Sequence, residues 1–168
     1  ALSLLWAATD PVWTAVALIL LTSFIAGLRP AEIYRVRIGH LVFPRSRFGP
    51  RAMTIVITKP KTRKTGASTQ HVRVDEMSLI PILQAFYAQT RADIPWWPWS
   101  AKALRTRFKQ LMSHIGLPDT LQLASLRAGG MTWLFISTLQ PDLVFWKGRW
   151  MAQKSMDHYI QEANASLF

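Results

Sequence analysis

The chain has 168 residues, of which 50% are apolar, and this length predicts one domain with a sizeable core rather than two domains. Lys and Arg number 20 against 9 for Asp and Glu, so the formal net charge of +11 favours a polyanionic partner, either nucleic acid or an acidic membrane surface. There is no cysteine, which excludes disulfides, thiol catalysis and cysteine metal sites and is compatible with an intracellular setting.

The basic residues recur in several segments instead of forming one terminal tail. This distribution predicts a folded basic face, with scattered solubilising charge as the alternative. The histidines have no metal-ligand spacing, so no metal site is predicted. They are His40, His71, His114 and His158.

The first long element is predicted as a buried core helix that begins at Asp10-Pro11 and ends at Gly27. Asp can cap the amino end, Pro fits the first turn, and Gly ends a helix well. Residues 12–28 carry no charge. The alternative is therefore a membrane-associated helical protein, but the stretch is at the short end for a bilayer span and contains hydroxyl side chains.

A second helix is predicted after Pro30, with Glu32 in its first turn and Ile33, Val36 and Ile38 on an apolar face. Arg29 then lies at a tight corner between two helices. Such an arginine is a candidate site residue, although it could equally cap the carbonyls of the preceding helix.

Residues 53–58 and 69–74 are predicted as the two strands of a hairpin, because the first segment is β-branched or apolar and the second alternates polar and apolar residues. The loop between them carries four cations. They could contact phosphates or reach into a groove, and a solvated loop is the alternative. These cations are Lys59, Lys61, Arg63 and Lys64.

Two amphipathic helices are predicted next, over residues 78–92 and 101–115. Ser100 caps the second helix, which turns Leu104, Phe108 and Leu111 inward. The same helix places Lys102, Arg105 and Lys109 on neighbouring turns, where they could contact a phosphate backbone.

The last third contains a helix over 126–138, a short helix from Pro141 to Gly148 and a final helix over 152–163 that carries Tyr159. Gly129 and Gly130 lie inside the first of these helices. Since each glycine costs a helix about 1 kcal/mol relative to Ala, the pair predicts close approach of a backbone or a ligand.

Taken together, these motifs resemble the catalytic domain of the tyrosine recombinases, the phage-integrase family. Gly27-Leu28-Arg29-Pro30-Ala31-Glu32 is similar to the first arginine motif of the family. Arg127 matches the second arginine, Trp150 in Gly-Arg-Trp matches a His/Trp position, and Tyr159, nine positions later, matches the nucleophile. The matches occur in the family's order from about residue 10 to residue 163.

The resemblance implies a mainly α fold with a small antiparallel β-sheet (α+β) and one catalytic domain over residues 1–168, without the amino-terminal DNA-clamping domain. It implies that Arg29, Lys61, Arg127, Trp150 and Tyr159 are catalytic, with Glu32 supporting the site. Lys61 is the preferred general acid, and Lys59 and Lys64 stay open because the hairpin register is not fixed by sequence.

The implied activity is breakage and rejoining of double-stranded DNA through a covalent 3′-phosphotyrosyl intermediate, in recombination or integration of a mobile element. No cofactor, metal or membrane is implied, and the protein is expected to be intracellular, DNA-associated and self-associating on DNA. Its expected DNA contacts are Lys59, Arg63, Lys64, Lys102, Arg105 and Arg149.

One position departs from the family pattern. Ala124 stands where the family commonly has histidine, three residues before the second arginine. Because alanine can neither transfer a proton nor donate to a phosphate, a catalytically impaired DNA-binding relative is the alternative function.

Overall fold

The computed structural model describes residues 10–44, 51–60, 68–154, 156 and 157. Six α-helices and a three-stranded sheet make up this part of the chain. The helices are α1 (Pro11–Ala26), α2 (Pro30–Ile33), α3 (Leu79–Tyr87), α4 (Ala101–His114), α5 (Leu123–Thr138) and α6 (Pro141–Gly148). A short 3-10 helix, Ile38–His40, lies between α2 and the sheet.

Helix α1 is the central helix, and its predicted ends are confirmed. The Asp10 carboxylate accepts a hydrogen bond from the Val12 N–H at 2.8 Å, and Gly27 ends the helix with a φ of 58°. Packing against α5, α4 and the sheet buries much of α1. The hydroxyls of Thr22 and Ser23 donate to carbonyls one turn earlier, both at 2.6 Å, so their burial leaves no unpaired hydroxyl donor.

The predicted core role of α1 is confirmed by its buried residues, which line the main hydrophobic core. Within the described part of the chain, no helix combines the length and apolar character needed to cross a membrane.

The sheet is antiparallel with strand order β1-β2-β3, formed by Leu41–Val42, Met53–Ile57 and Gln70–Val74. The predicted hairpin is confirmed, since β2 pairs with β3 from Met53 opposite Val74 to Ile57 opposite Gln70. The two-residue strand β1 was not predicted. A strand of two residues is too short to show alternation of polar and apolar residues, and its partner β2 is distant in sequence.

The predicted second helix is wrong in its extent, because α2 ends at Ile33. The following residues instead bond to a distant segment. The Ile38 N–H donates to Ile94 O at 2.9 Å, and the Trp96 N–H donates to Val36 O at 2.9 Å. The apolar spacing of Val36 and Ile38 therefore reflects their burial beside residues 94–96 and not the face of one continuous α-helix.

The glycine pair in α5 marks the predicted close approach, which is confirmed. A Cβ added to Gly130 would lie 1.9 Å from the Phe24 carbonyl oxygen, so α1 and α5 touch backbone to backbone at this position. This crossing places the amino-terminal half of α5, which carries Arg127, beside the carboxyl end of α1.

Two hydrophobic clusters fill the interior. The larger one joins α1, the sheet, α3 and α4, and it includes Trp96 at 1% exposure. The smaller one consists of Met131, Val144 and Met156, with Trp150 packed against it. The aromatic segment around Trp96 is thus part of the core, and Trp150 is held between α5, α6 and the chain that follows α6.

Candidate active site

The segment from Gly27 to Glu32, called here the Gly27–Glu32 turn, runs from the end of α1 into α2 and is held by a carboxylate. The Arg29 backbone N–H donates to Glu32 Oε2 at 2.8 Å, and the Arg29 guanidinium donates to Glu32 Oε1 at 3.0 Å. The Glu32 side chain is 3% exposed and that of Arg29 is 20% exposed. Arg29 is therefore oriented by Glu32 and still reaches the surface.

Arg127 lies on α5, is 6% exposed, and links the ends of two helices. Its guanidinium donates to Gly27 O at the end of α1 and to Gly148 O at the end of α6. Its Cζ also lies 5.2 Å from the ring centroid of Trp150, within the range of a cation–π contact. Arg127 and Trp150 thus share one site, adjacent to the turn that carries Arg29.

Arg149 is the residue whose position the sequence did not indicate. It was expected among the surface DNA contacts, but its side chain is only 10% exposed. Its guanidinium donates to both carboxylate oxygens of Glu32, at 3.1 and 2.9 Å, and to Gly27 O at 3.1 Å. The Arg149 guanidinium thus points into the protein, where it is hydrogen-bonded to the Gly27–Glu32 turn.

Three guanidinium groups and one carboxylate therefore meet at the Gly27–Glu32 turn. Arg29 and Arg149 bind Glu32, and Arg127 binds the adjacent Gly27 carbonyl. Among the contacts described for this cluster, Glu32 is the carboxylate, and it binds two of the three guanidinium groups. Guanidinium groups suit bidentate recognition of phosphate, so the arrangement can accept a phosphate-bearing ligand.

The pKa of Glu32 reflects this arrangement. Burial by itself raises the pKa of the carboxyl, but hydrogen bonding and charge from Arg149, together with the contacts from Arg29, more than offset that effect. The pKa of Glu32 is consequently below its ordinary value of 4.5. The carboxylate stays ionised at neutral pH despite being buried.

Glu32→Gln is expected to lower the free energy of unfolding at pH 7 by about 3 kcal/mol, because it leaves buried arginine charge without its counter-ion. A group with a lowered pKa in the folded state stabilises the protein above its unfolded pKa, and that contribution is lost as the pH falls through the folded value. The wild type should therefore lose more stability than Glu32→Gln as the pH falls below about 4.5.

Urea unfolding at pH 7 and at acidic pH measures both effects. Asp93→Asn is the control, since Asp93 forms an exposed ion pair with Arg91 and should change stability by less than about 1 kcal/mol. An equal loss in the two variants would contradict the role of Glu32 as a buried counter-ion.

Three of the other expected DNA contacts are among the described residues, and they lie outside this cluster. Lys102 and Arg105 are exposed on α4, and Lys59 is exposed after β2, where its carbonyl accepts a hydrogen bond from Arg35 at 3.0 Å. Tyr34, which follows α2, donates to Ala101 O at 3.5 Å, so α4 begins beside α2. Lys61, Arg63, Lys64 and Tyr159 lie outside the described residues.

No signal in the sequence could have distinguished Arg149 from a surface cation. It follows a short helix and precedes Trp150, and its charge alone suggested a solvent-facing residue. The family resemblance implied that Arg29, Glu32, Arg127 and Trp150 belong to one site. The structure brings these four residues together at the ends of α1 and α6.

No protein-family model and no curated protein matches this sequence. Among solved structures, the chain is similar to the XerH site-specific recombinase bound to palindromic difH substrate in a post-cleavage complex. That match has a TM-score of 0.69 and 15% identity and covers 95% of this chain and 46% of the other. The pre-cleavage complex of XerH with difH matches with a TM-score of 0.67 and 16% identity, covering 94% and 47% of the two chains.

The chain therefore spans less than half the length of these recombinase chains. At this level of identity the similarity concerns the fold. It confirms the predicted fold class, which is mainly α with a small antiparallel sheet and resembles the catalytic domain of tyrosine recombinases.

Proposed function

We propose that this chain is the catalytic domain of an enzyme that breaks and rejoins DNA by the tyrosine recombinase mechanism. The observation that carries the proposal is the group of three arginines at the Gly27–Glu32 turn, in a fold similar to that of a site-specific recombinase. A site that gathers guanidinium groups suits a phosphodiester, whose non-bridging oxygens gain charge during attack.

In this mechanism the Tyr159 hydroxyl attacks the phosphorus and loses its proton to water. The bond between the tyrosine oxygen and phosphorus forms while the bond from phosphorus to the 5′ oxygen breaks. Arg29 and Arg127 stabilise the non-bridging oxygens, since guanidinium remains protonated at any relevant pH. Lys61 donates a proton to the departing 5′ oxygen, and the Trp150 indole N–H donates a hydrogen bond. The phosphotyrosyl ester retains the phosphodiester energy for rejoining.

The proposed partner is double-stranded DNA, on which copies of the protein self-associate during recombination or integration. The net charge of +11 and the exposed cations of α4 support a polyanionic partner, and both similar structures are complexes of one recombinase with its DNA substrate. A protein with this activity works inside the cell, at DNA.

The proposal is tested by incubating the protein with a nicked duplex and resolving covalent adducts on a denaturing gel. Binding is measured in parallel by titration at several salt concentrations. A covalent adduct together with steeply salt-dependent binding is expected, because each neutralised phosphate releases a counterion. An affinity for the duplex that does not change with salt concentration would contradict the proposal that DNA is the partner.

The second candidate function is a DNA-binding relative that does not cut. Ala124 favours it, because this residue supplies no polar group where the family commonly has histidine. Ala124 is exposed in the first turn of α5, three residues before Arg127. Salt-dependent binding without any adduct would support this alternative.

Ala124→His is expected to raise the rate of adduct formation by about tenfold or more, since a positioned proton-transfer group contributes about 10²-fold or more in other enzymes. The position is exposed, so the substitution should change folding stability by less than about 0.5 kcal/mol. DNA affinity should change little. Equal adduct rates in the two proteins would mean that another group already fills this role.

A further inference from the structure

Arg149 occupies a backbone conformation that side chains rarely adopt. It directly follows α6 with a φ of 53°, in the left-handed region. Gly27 and Gly116 adopt the same region after α1 and α4, as expected at helix ends. A non-glycine residue here costs free energy, which the contacts of the Arg149 side chain can offset. Leu139, after α5, has the same φ of 53°.

Those contacts join three parts of the fold. Besides the paired hydrogen bonds to Glu32 and the bond to Gly27 O, Arg149 donates to Gln70 Oε1 at 3.3 Å. The end of α6 is thereby connected to the Gly27–Glu32 turn and to β3. The planar guanidinium makes this arrangement, which a lysine ammonium cannot reproduce because it acts as a point charge without the fork geometry.

Arg149 also shares one acceptor with each candidate catalytic arginine. Glu32, which it binds through both carboxylate oxygens, also binds Arg29. Gly27 O, which it binds, also accepts from Arg127. A shift of Arg149 would therefore be transmitted to both arginines through direct hydrogen bonds.

We propose that Arg149 is a positioning residue of the candidate active site, which fixes the Gly27–Glu32 turn for Arg29 and Arg127 and does not contact DNA. This inference rests on the proposed function. A phosphate contact would require the guanidinium to leave Glu32, where it is bound in bidentate geometry at 10% exposure. The lowered pKa of Glu32, caused mainly by Arg149, is consistent with a permanently paired carboxylate.

The first test compares Arg149→Lys with Arg91→Lys, in which the arginine is 80% exposed and distant in sequence from the site. At saturating protein, Arg149→Lys is expected to slow adduct formation on nicked DNA at least tenfold. Its affinity for the same duplex should stay within about twofold, with an unchanged slope of log K against log salt. Arg91→Lys should match the wild type in all three measurements.

Two results would overturn the proposal. A slope that falls by about 0.9 in Arg149→Met, which removes the charge, together with weaker binding, would make Arg149 a phosphate contact. An unchanged rate of adduct formation would show that Arg149 serves folding alone.

A second test asks whether Arg149 acts through Glu32. The rates of adduct formation are compared for Arg149→Met, Glu32→Gln and the double variant. Each rate is divided by the folded fraction of that variant, which circular dichroism measures. If the two residues act as a unit, the double variant should be no slower than the slower single variant. Losses that multiply in the double variant would show independent action and overturn the proposal.

A third test remains valid if the wild type forms no adduct, in which case the proposed function fails on its own. The Glu32 carboxyl is followed by carbon-13 NMR during an acid titration of the wild type and of Arg149→Lys. The pKa of Glu32 is expected to rise in the variant. An unchanged titration would exclude Arg149 as the residue that holds Glu32.

Discussion

Tyr159→Phe is expected to abolish the covalent protein–DNA adduct while folding and salt-dependent DNA binding remain intact. The substitution removes only the hydroxyl that forms the bond to phosphorus. Loss of a catalytic nucleophile lowers rates by about 10⁴-fold or more in other enzymes that form covalent intermediates, which places the variant below detection. The measurement is capture on a nicked duplex followed by a denaturing gel.

Tyr34→Phe and Tyr87→Phe are the matched controls, because they are the chain's other tyrosines. Burial raises the pKa of both phenols, and the charge of Arg105 only partly offsets this effect at Tyr34. A phenol that holds its proton more tightly is a poorer nucleophile near neutral pH. Both controls should form adduct, and an adduct that persists in Tyr159→Phe would refute the assignment of the nucleophile.

Gly130→Ala is expected to lower the free energy of unfolding by about 3 kcal/mol or more, the upper range for overpacking a core. The new methyl group would lie 1.9 Å from the Phe24 carbonyl oxygen. That atom belongs to the backbone of the central helix α1, so only a separation of α1 and α5 can relieve the clash. Urea unfolding measures the loss.

Gly129→Ala is the control for this prediction. Its methyl group would meet a ring atom of Phe24 at 3.3 Å, and the ring can shift by a few tenths of an ångström. Alanine also favours the helix by about 1 kcal/mol relative to glycine. Gly129→Ala should therefore be within about 1 kcal/mol of the wild type, and an equal loss in both variants would disprove the close contact at Gly130.

Local signals were sufficient wherever one segment determines its own structure. Asp10-Pro11 and Gly27 set the ends of α1, Ser100 caps α4 by accepting from the Ala103 N–H at 3.1 Å, and alternation predicted the β2–β3 hairpin. Each of these features depends on neighbouring residues or on a short-range pattern. The fold class was implied by the family resemblance of the motifs in this order.

The sequence predictions were wrong or incomplete where the hydrogen-bond partners of a segment lie far away in the sequence. The residues after Ile33 have apolar spacing that fits a helix, yet their backbone groups bond to Ile94 and Trp96. A periodicity argument cannot detect such pairing, since it reads one segment at a time. Strand β1 was missed for the same reason.

The sequence by itself determined which residue types are available for the site: two arginines in recognisable motifs, a glutamate beside the first, and a tryptophan in Gly-Arg-Trp. Only the tertiary structure decided which of these charged groups form hydrogen bonds with each other. Gly130 lets α5 lie against α1, which brings Arg127 to Gly27 O, and the turn after α6 directs Arg149 to Glu32. The pairing of a buried charge depends on which groups lie within hydrogen-bonding distance, and residues more than a hundred positions apart in sequence meet only in the folded chain.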